Sequence, residues 1–403
     1  MFDIKKFFLG VVFVLGVAGS ALATNYGSVY SLKGFGLSQM APGPEASGMG
    51  NVSLAILDLR YLNADNPARF GGILDVRTMA SFISQRLGVS SNSQKFTTYY
   101  ANFHSMAMGL PVKRGIGVQF GILPCTYSNV RLEETRSLNG QAYTKAMDRS
   151  GGLNNFYLGI GAKIFPHVYV GLRSDFIFGK ILEKWTLDFE SQTFVDGRTE
   201  FSYKTWGLNA TAGVLVQPLK WLSVAAVYSP ARKMRLRDEE TYFAPQVTRS
   251  VSKNWTLPQK YGLGLSIVFK RWLVGLDYRA QNWSQLAIEE SSLPGMTNEN
   301  RVGFGIEHAG TLDPFAPIVR QLALRAGFYR HRLNVLGFRG EPVLERVGTV
   351  GVGIPFGQGR GSIDMALEWG VRGNLTDNVF KESLLRFNFS VSGGERWFIR
   401  HKK

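Results

Sequence analysis

Charged side chains recur at alternate positions inside otherwise apolar runs, and they offer the most chemistry in the chain. Arg173 with Asp175, Asp277 with Arg279, Arg325, Asp364 with Glu368 and Arg372, and Arg386 all follow this pattern. Two roles suit such residues. They can form a structural salt-bridge web, because a charge in a poorly hydrated interior needs a partner. Alternatively, one or two cations can meet a ligand carboxylate; Arg279 and Arg325 are the candidates, with Phe120 beside them as a ligand-binding candidate. Catalytic templates are missing: there is no His-Glu-x-x-His, no Gly-x-Ser-x-Gly and no Walker-type Gly-x-x-x-x-Gly-Lys run. His104, His167, His308, His331 and His401 lack ligand spacing. Cys125 is the sole cysteine, so no intrachain disulfide or cysteine metal site can form. The expectation is a non-enzyme with no cofactor and no metal.

The elements that position these charges read as short strands with a period of two. Candidate strands run near Asp75–Leu87, Thr97–Leu110 and Gly115–Leu123. Others carry Phe156 to Ile164, Val168 to Phe178, Trp206 to Val216, Leu222 to Tyr228, Tyr261 to Phe269 and Trp272 to Tyr278. The last five carry Val302 to Ile306, Leu322 to Phe328, Gly348–Phe356, Ile363 to Val371 and Leu385 to Val391. Large apolar residues fall on one parity, and Gly, Lys, Arg and Asp on the other. Pairs such as Gly303/Gly305 read as close-packing strand glycines. Connections alternate between tight turns, as at Lys270-Arg271, and long polar stretches, as at 127–152, 183–200 and 229–258. Fourteen strands, an even number, with short turns at one end and long loops at the other, predict an all-β antiparallel transmembrane β-barrel. A soluble β-sandwich also alternates, but the chain shows no linker or composition shift where so long a soluble chain would split. The tryptophans, mostly near strand ends, suit interface girdles.

The N-terminus MFDIKKFFLGVVFVLGVAGSALA has a charged start, a short apolar core and an Ala21-Leu22-Ala23 cleavage site. It reads as a secretory signal peptide over residues 1–23. No later segment has the ~18 consecutive apolar residues of a membrane helix. Export, 46 Gly and an aromatic load of 28 Phe, 15 Tyr and 8 Trp suit an exported all-β chain. The formal charge of +16 leaves nucleic acid, anionic lipid and anionic substrate as partner classes. Export argues against nucleic acid and leaves lipopolysaccharide-like surfaces and carboxylates. Residues 24–72 fit neither strand nor helix for long, and a barrel lumen must be filled or left open. This segment is expected to be the plug, and residues 73–403 the barrel.

Within GMGNVSLAILDLRYLNADNPARFGG, the residues Gly48, Met49, Gly50, Asp58, Asn66, Pro67 and Ala68 resemble the N-terminal hatch of FadL-type outer-membrane transporters. Asn51-Val52 and Arg69-Phe70 depart from the Gly-Ala and Gly-Leu usual there. Pro258–Ser284 and Leu324–Phe328 resemble hairpin and strand motifs of the same family. The resemblance implies a plugged outer-membrane barrel of a Gram-negative-type cell, a monomer, that carries hydrophobic compounds such as fatty acids. It also implies sideways exit at a kinked third strand. Gly115, Gly117, Gly121 and Pro124 lie there, where glycine interrupts packing and proline removes a ladder donor. The competing account is that such glycines are common in barrel strands and Pro124 ends one. The alternative function is a barrel of the same fold that binds exported proteins and carries no small molecule.

Overall fold

The alternating runs pair into a closed antiparallel ring in the computed structural model, which describes residues 27–39, 43–58, 60–138, 141–189, 196–243, 246–289, 291–313 and 315–395. The expected signal peptide and Trp397 lie outside the described residues. Fourteen strands make the wall. They are β1 (Val76–Ser90), β2 (Lys95–Lys113), β3 (Ile116–Leu138), β4 (Gln141–Phe165), β5 (Val168–Phe189), β6 (Gly197–Leu219) and β7 (Leu222–Ser229). The rest are β8 (Lys260–Phe269), β9 (Trp272–Gln281), β10 (Glu299–His308), β11 (Ala323–Leu336), β12 (Pro342–Phe356), β13 (Gly361–Arg372) and β14 (Lys381–Glu395). Each pairs with its sequence neighbour, and β14 closes on β1 along the whole of Lys381↔Ser90 to Glu395↔Val76. Closure removes sheet edges, which a lipid environment cannot satisfy.

The parity read from sequence sorts the side chains. Leu158, Leu172, Leu208, Leu263, Phe304 and Leu324 are between 48% and 64% exposed, a continuous apolar outer surface suited to lipid. Asp277, Arg325, Asp364, Glu368 and Arg372 face the lumen and are buried.

The long polar stretches are not loops. Residues 127–138 and 141–152 extend β3 and β4, 183–189 and 197–200 extend β5 and β6, and Arg232–Phe243 with Gln246–Leu257 form a hairpin. Its first limb pairs with β6 from Trp206↔Arg235 to Thr199↔Tyr242, so it carries the wall on past the break at Ser229-Pro230. Outside the hydrocarbon both faces of a strand are wet, so the apolar alternation stops while backbone pairing continues. Trp255 and Trp283 also correct the girdle expectation. They are 1% and 2% exposed within the lumen and donate to Thr205 Oγ1 (2.6 Å) and Glu299 (2.9 Å).

The described residues of 27–72 lie inside the ring. Leu37, Val52, Leu54, Ala55, Ala68 and Phe70 are at most 1% exposed. Val29, Tyr30, Phe35 and Leu37 pack on inward apolar residues of the long-loop end, among them Leu87, Leu153, Ile181 and Leu333. Leu62, Phe70 and Ile73 pack on Met79, Ala107 and Tyr157 nearer the short turns.

Candidate functional site

The segment rests on the wall through two patches of glycine. Gly50 has φ +63°, and its N–H donates to Thr349 Oγ1 (2.9 Å), whose hydroxyl donates to Gly48 O (3.0 Å). A Cβ on Gly327 would stand 2.3 Å from Gly50 N, and one on Gly305 would stand 2.2 Å from Met49 O. The wall glycines therefore admit the backbone of the Gly48–Gly50 run. Asn51 follows in the same left-handed region (φ 63°), which Asn tolerates better than most residues; this explains why Asn can stand there in place of Gly.

On the opposite side, the short helix Pro67–Gly72 lies against β3 to β6. A Cβ on Gly171 would stand 2.3 Å from Pro67, and one on Gly117 would stand 2.2 Å from Phe70 O. Asn66 starts the helix. Its Oδ1 accepts from Ala68 N (3.0 Å) and its Nδ2 donates to Leu54 O (3.0 Å). Arg69, buried, turns back to the carbonyls of Ser53 and Asp58. Asp58 pairs with Arg60 near the short-turn end.

Charge completes the hold. Arg325 pairs with Glu307 and Asp364, both at 2.6 Å, and donates to the Tyr61 hydroxyl at 2.7 Å. Arg279 pairs with Asp65 of the segment (2.9 Å) and Asp277 (3.0 Å); Asp277 also accepts from Ser53 N and Leu54 N. Burial works to raise the Asp65 pKa, but Arg279, Lys260 and the Ser53 hydroxyl outweigh it and hold this carboxyl below the usual range. Towards the long-loop end, Arg372 bridges Glu345 (2.6 Å) and Glu382 (2.8 Å), and Glu382 receives Ser28 Oγ and Val29 N. Arg386 pairs with Glu345 and Glu368, and Arg173 with Asp175. Arg279 and Arg325 thus each face internal carboxylates of the wall or the segment. Phe120 does not face the lumen: Gln119 does (1% exposed), and Phe120 lies on the outer face between Met108 and Leu158.

The wall is interrupted at the junction of β2 and β3. β2 and β3 pair only from Lys113↔Ile116 to Met106↔Ile122. Beyond this, β2 continues to Lys95 on β1, while β3 continues to Leu138 on β4. The freed edge of β3 is taken by the N-terminal segment. Leu37 pairs with Tyr127 and Ser38 with Thr126, while Gln39 N donates to Cys125 O and Gly27 N to Asn129 O, both at 2.7 Å. Of the residues singled out for a wall opening, Pro124 lies in this unpaired stretch and has no N–H to offer across it. Gly115 (φ +82°) sits in the tight β2–β3 turn, and Gly117 and Gly121 lie in the paired part below. Pro124 does not end its strand.

Two cavities meet at this seam and share Ser38, Gln39 and Arg301 as lining. One, of about 120 Å³, is bounded by Leu123, Pro124 and Thr126 and by Lys260. The other, of about 70 Å³, is bounded by Gln85, Tyr100 and His104. Lys260 is exposed to the lumen and has no carboxylate within ion-pair range among the described residues. Sequence reasoning missed it because it stands at a strand start, before the alternation begins.

Fold and lumen define a class: a fourteen-stranded barrel of the FadL type, with its N-terminal segment folded into the lumen. A sequence model of the family described as BamG matches residues 3–403, and the chain belongs to that family. Among curated proteins nothing matches. Among solved structures the chain is similar to the Ralstonia pickettii toluene transporter TbuX, at 15% identity and a TM-score of 0.56 over 87% of this chain and 98% of that one. It is similar to the CymD monoaromatic hydrocarbon channel, at 14% identity and 0.56 over 88% and 98%. It is also similar to a Pseudomonas aeruginosa FadL homologue, at 12% identity and 0.61 over 90% and 99%. At these identities the likeness carries the fold alone.

Proposed function

We propose that this chain is an outer-membrane barrel, plugged by residues 24–72, that takes up small hydrophobic or amphiphilic molecules. On this reading, cargo leaves sideways into the membrane between β2 and β3. The observation that carries it is the unpaired seam with cavities on its lumen side. An apolar molecule gains about 25 cal/mol per Å² of area kept from water, so exit into lipid is favoured over exit into water. A cavity of about 120 Å³ approaches the ~150 Å³ site that admits benzene in an engineered core. This favours single-ring compounds over the fatty acids expected from sequence. Two of the similar barrels are named for toluene and for monoaromatic hydrocarbons. Lys260 is the cation available to an acidic end group.

The gate is the Leu37–Gln39 run on the β3 edge. The test is a Leu37→Cys, Tyr127→Cys pair in a Cys125→Ser background, placed at facing ladder positions. Oxidation should stop uptake of a labelled single-ring compound, and reduction should restore it. Equal uptake in both states would rule out this gate.

A second reading is favoured by the buried ion pairs at Arg279, Arg325 and Arg372, which tie the segment to the wall through Asp65, Tyr61 and the Glu382 that receives Ser28. On it, the barrel is a protein-binding component that transports nothing. Absence of uptake by the unmodified chain in intact cells would select it.

A further inference from the structure

We infer that the short-turn end of the barrel is a docking face for a second protein with an acidic rim around an apolar recess, and that the connector 309–322 is its anchor. The inference lies outside the transport reading; only its sidedness, facing the periplasm, rests on the outer-membrane assignment.

The connector between β10 and β11 is far longer than the tight turns beside it. Ala309 N donates to Arg271 O and Thr311 N to Arg320 O, both at 2.8 Å, so its base is held. Leu312 leans back against Gly359 in the β12–β13 turn and bounds a small recess with Arg60, Tyr61 and Gln321. This sets Leu312 and Gln321 of the connector beside the N-terminal segment at the mouth of the lumen. There it exposes Leu312 (52%), Phe315 (94%), Ile318 (56%) and Val319 (74%). The other large exposed apolar residues lie mostly on outward strand faces, where lipid covers them. These lie on a connector and not on a strand face, and large apolar residues exposed together in one short segment mark an interaction site.

Charge specifies the partner. Around the same end the turns expose Lys113, Arg114, Lys220, Lys270, Arg271 and Arg360, and the connector adds Arg320. The described acidic residues at this surface are Asp58, already paired with Arg60, and Asp75, Asp313 and Glu395, so cations outnumber them. Phe and Arg, both exposed on this connector, are residue types enriched at protein–protein interfaces. Complementarity requires acidic residues opposite.

The test uses the full chain in its native outer membrane, with a photo-crosslinking phenylalanine analogue in place of Phe315 or Val319. Expected is an adduct with one protein through a peptide rich in Asp and Glu. Its yield should fall about tenfold when Arg271→Glu and Arg320→Glu are combined, the effect of losing roughly 1.4 kcal/mol. Adducts with phospholipid alone would overturn the proposal and make the connector an interfacial anchor. An adduct insensitive to charge reversal, or none at all, would overturn it as well. Heat-modifiable migration of the same samples separates loss of the docking face from loss of the barrel.

Discussion

The Arg325 guanidinium of the wall donates to the Tyr61 hydroxyl of the N-terminal segment at 2.7 Å, while its other nitrogens meet Glu307 and Asp364 at 2.6 Å each. One side chain thereby pairs with two buried carboxylates and holds the segment to β11.

Replacing Arg325 by Leu should strand Asp364 without its cation and leave Glu307 with only Arg60, 4.0 Å away. Breaking a buried pair from one side costs about 3–5 kcal/mol. The expected result is a lower urea midpoint for the unheated, folded band in electrophoresis. An unchanged midpoint would show that the web is dispensable.

Gly171→Val and Gly327→Val should push the segment off the wall, because each added side chain would begin 2.3 Å from its backbone. The barrel itself should survive, since Val suits a strand. Planar-bilayer recordings should then show larger and noisier conductance than the parent chain. Parent-like traces from both folded variants would mean that the segment does not block the lumen.

Asn66→Ala removes a helix cap and a donor to Leu54 O. Caps of this kind contribute about 1 kcal/mol. Protease digestion from the short-turn side should cut near residues 58–66 several-fold faster, with strand cleavage unchanged.

Glu45 supplies a pH dependence. Its carboxylate is buried, has no hydrogen-bond partner among the described residues, and is pushed up to about 8. Burial is the main cause, followed by Asp364, against the opposing pull of Arg325 and Arg69. With the folded pKa above the unfolded one, Glu45 stays protonated in the folded segment while the unfolded chain ionises. Its penalty is therefore absent at about pH 4, grows between the usual carboxylate range and pH 8, and is constant above. The whole effect is at most on the order of 5 kcal/mol. Segment protection measured by hydrogen exchange should fall from pH 5 to pH 8 in the parent and much less in Glu45→Gln. A parallel slope in both would exclude Glu45 as the source.

Sequence alone determined which residues face lipid and which face the lumen, because a strand puts successive side chains on opposite faces. Leu158 and Phe304 point outward, and Arg279 and Asp364 inward, for that reason alone. It also determined the number of wall strands, since each needs its own apolar stripe. It did not determine where the strands end: polar residues at 127–138 or 246–257 carry no stripe, yet their backbones still pair. Nor could it apportion the lumen charges. Arg279 and Arg325 are equally suited to a ligand carboxylate until Asp65, Glu307 and Asp364 arrive from distant parts of the chain. The seam was half legible: Pro124 marks a missing donor, but that β2 and β3 part at Met106–Ile122 depends on Leu37–Gln39 replacing one ladder with another. Contacts between residues almost a hundred positions apart have no local signature, and closure of the barrel around its own N-terminus decided them.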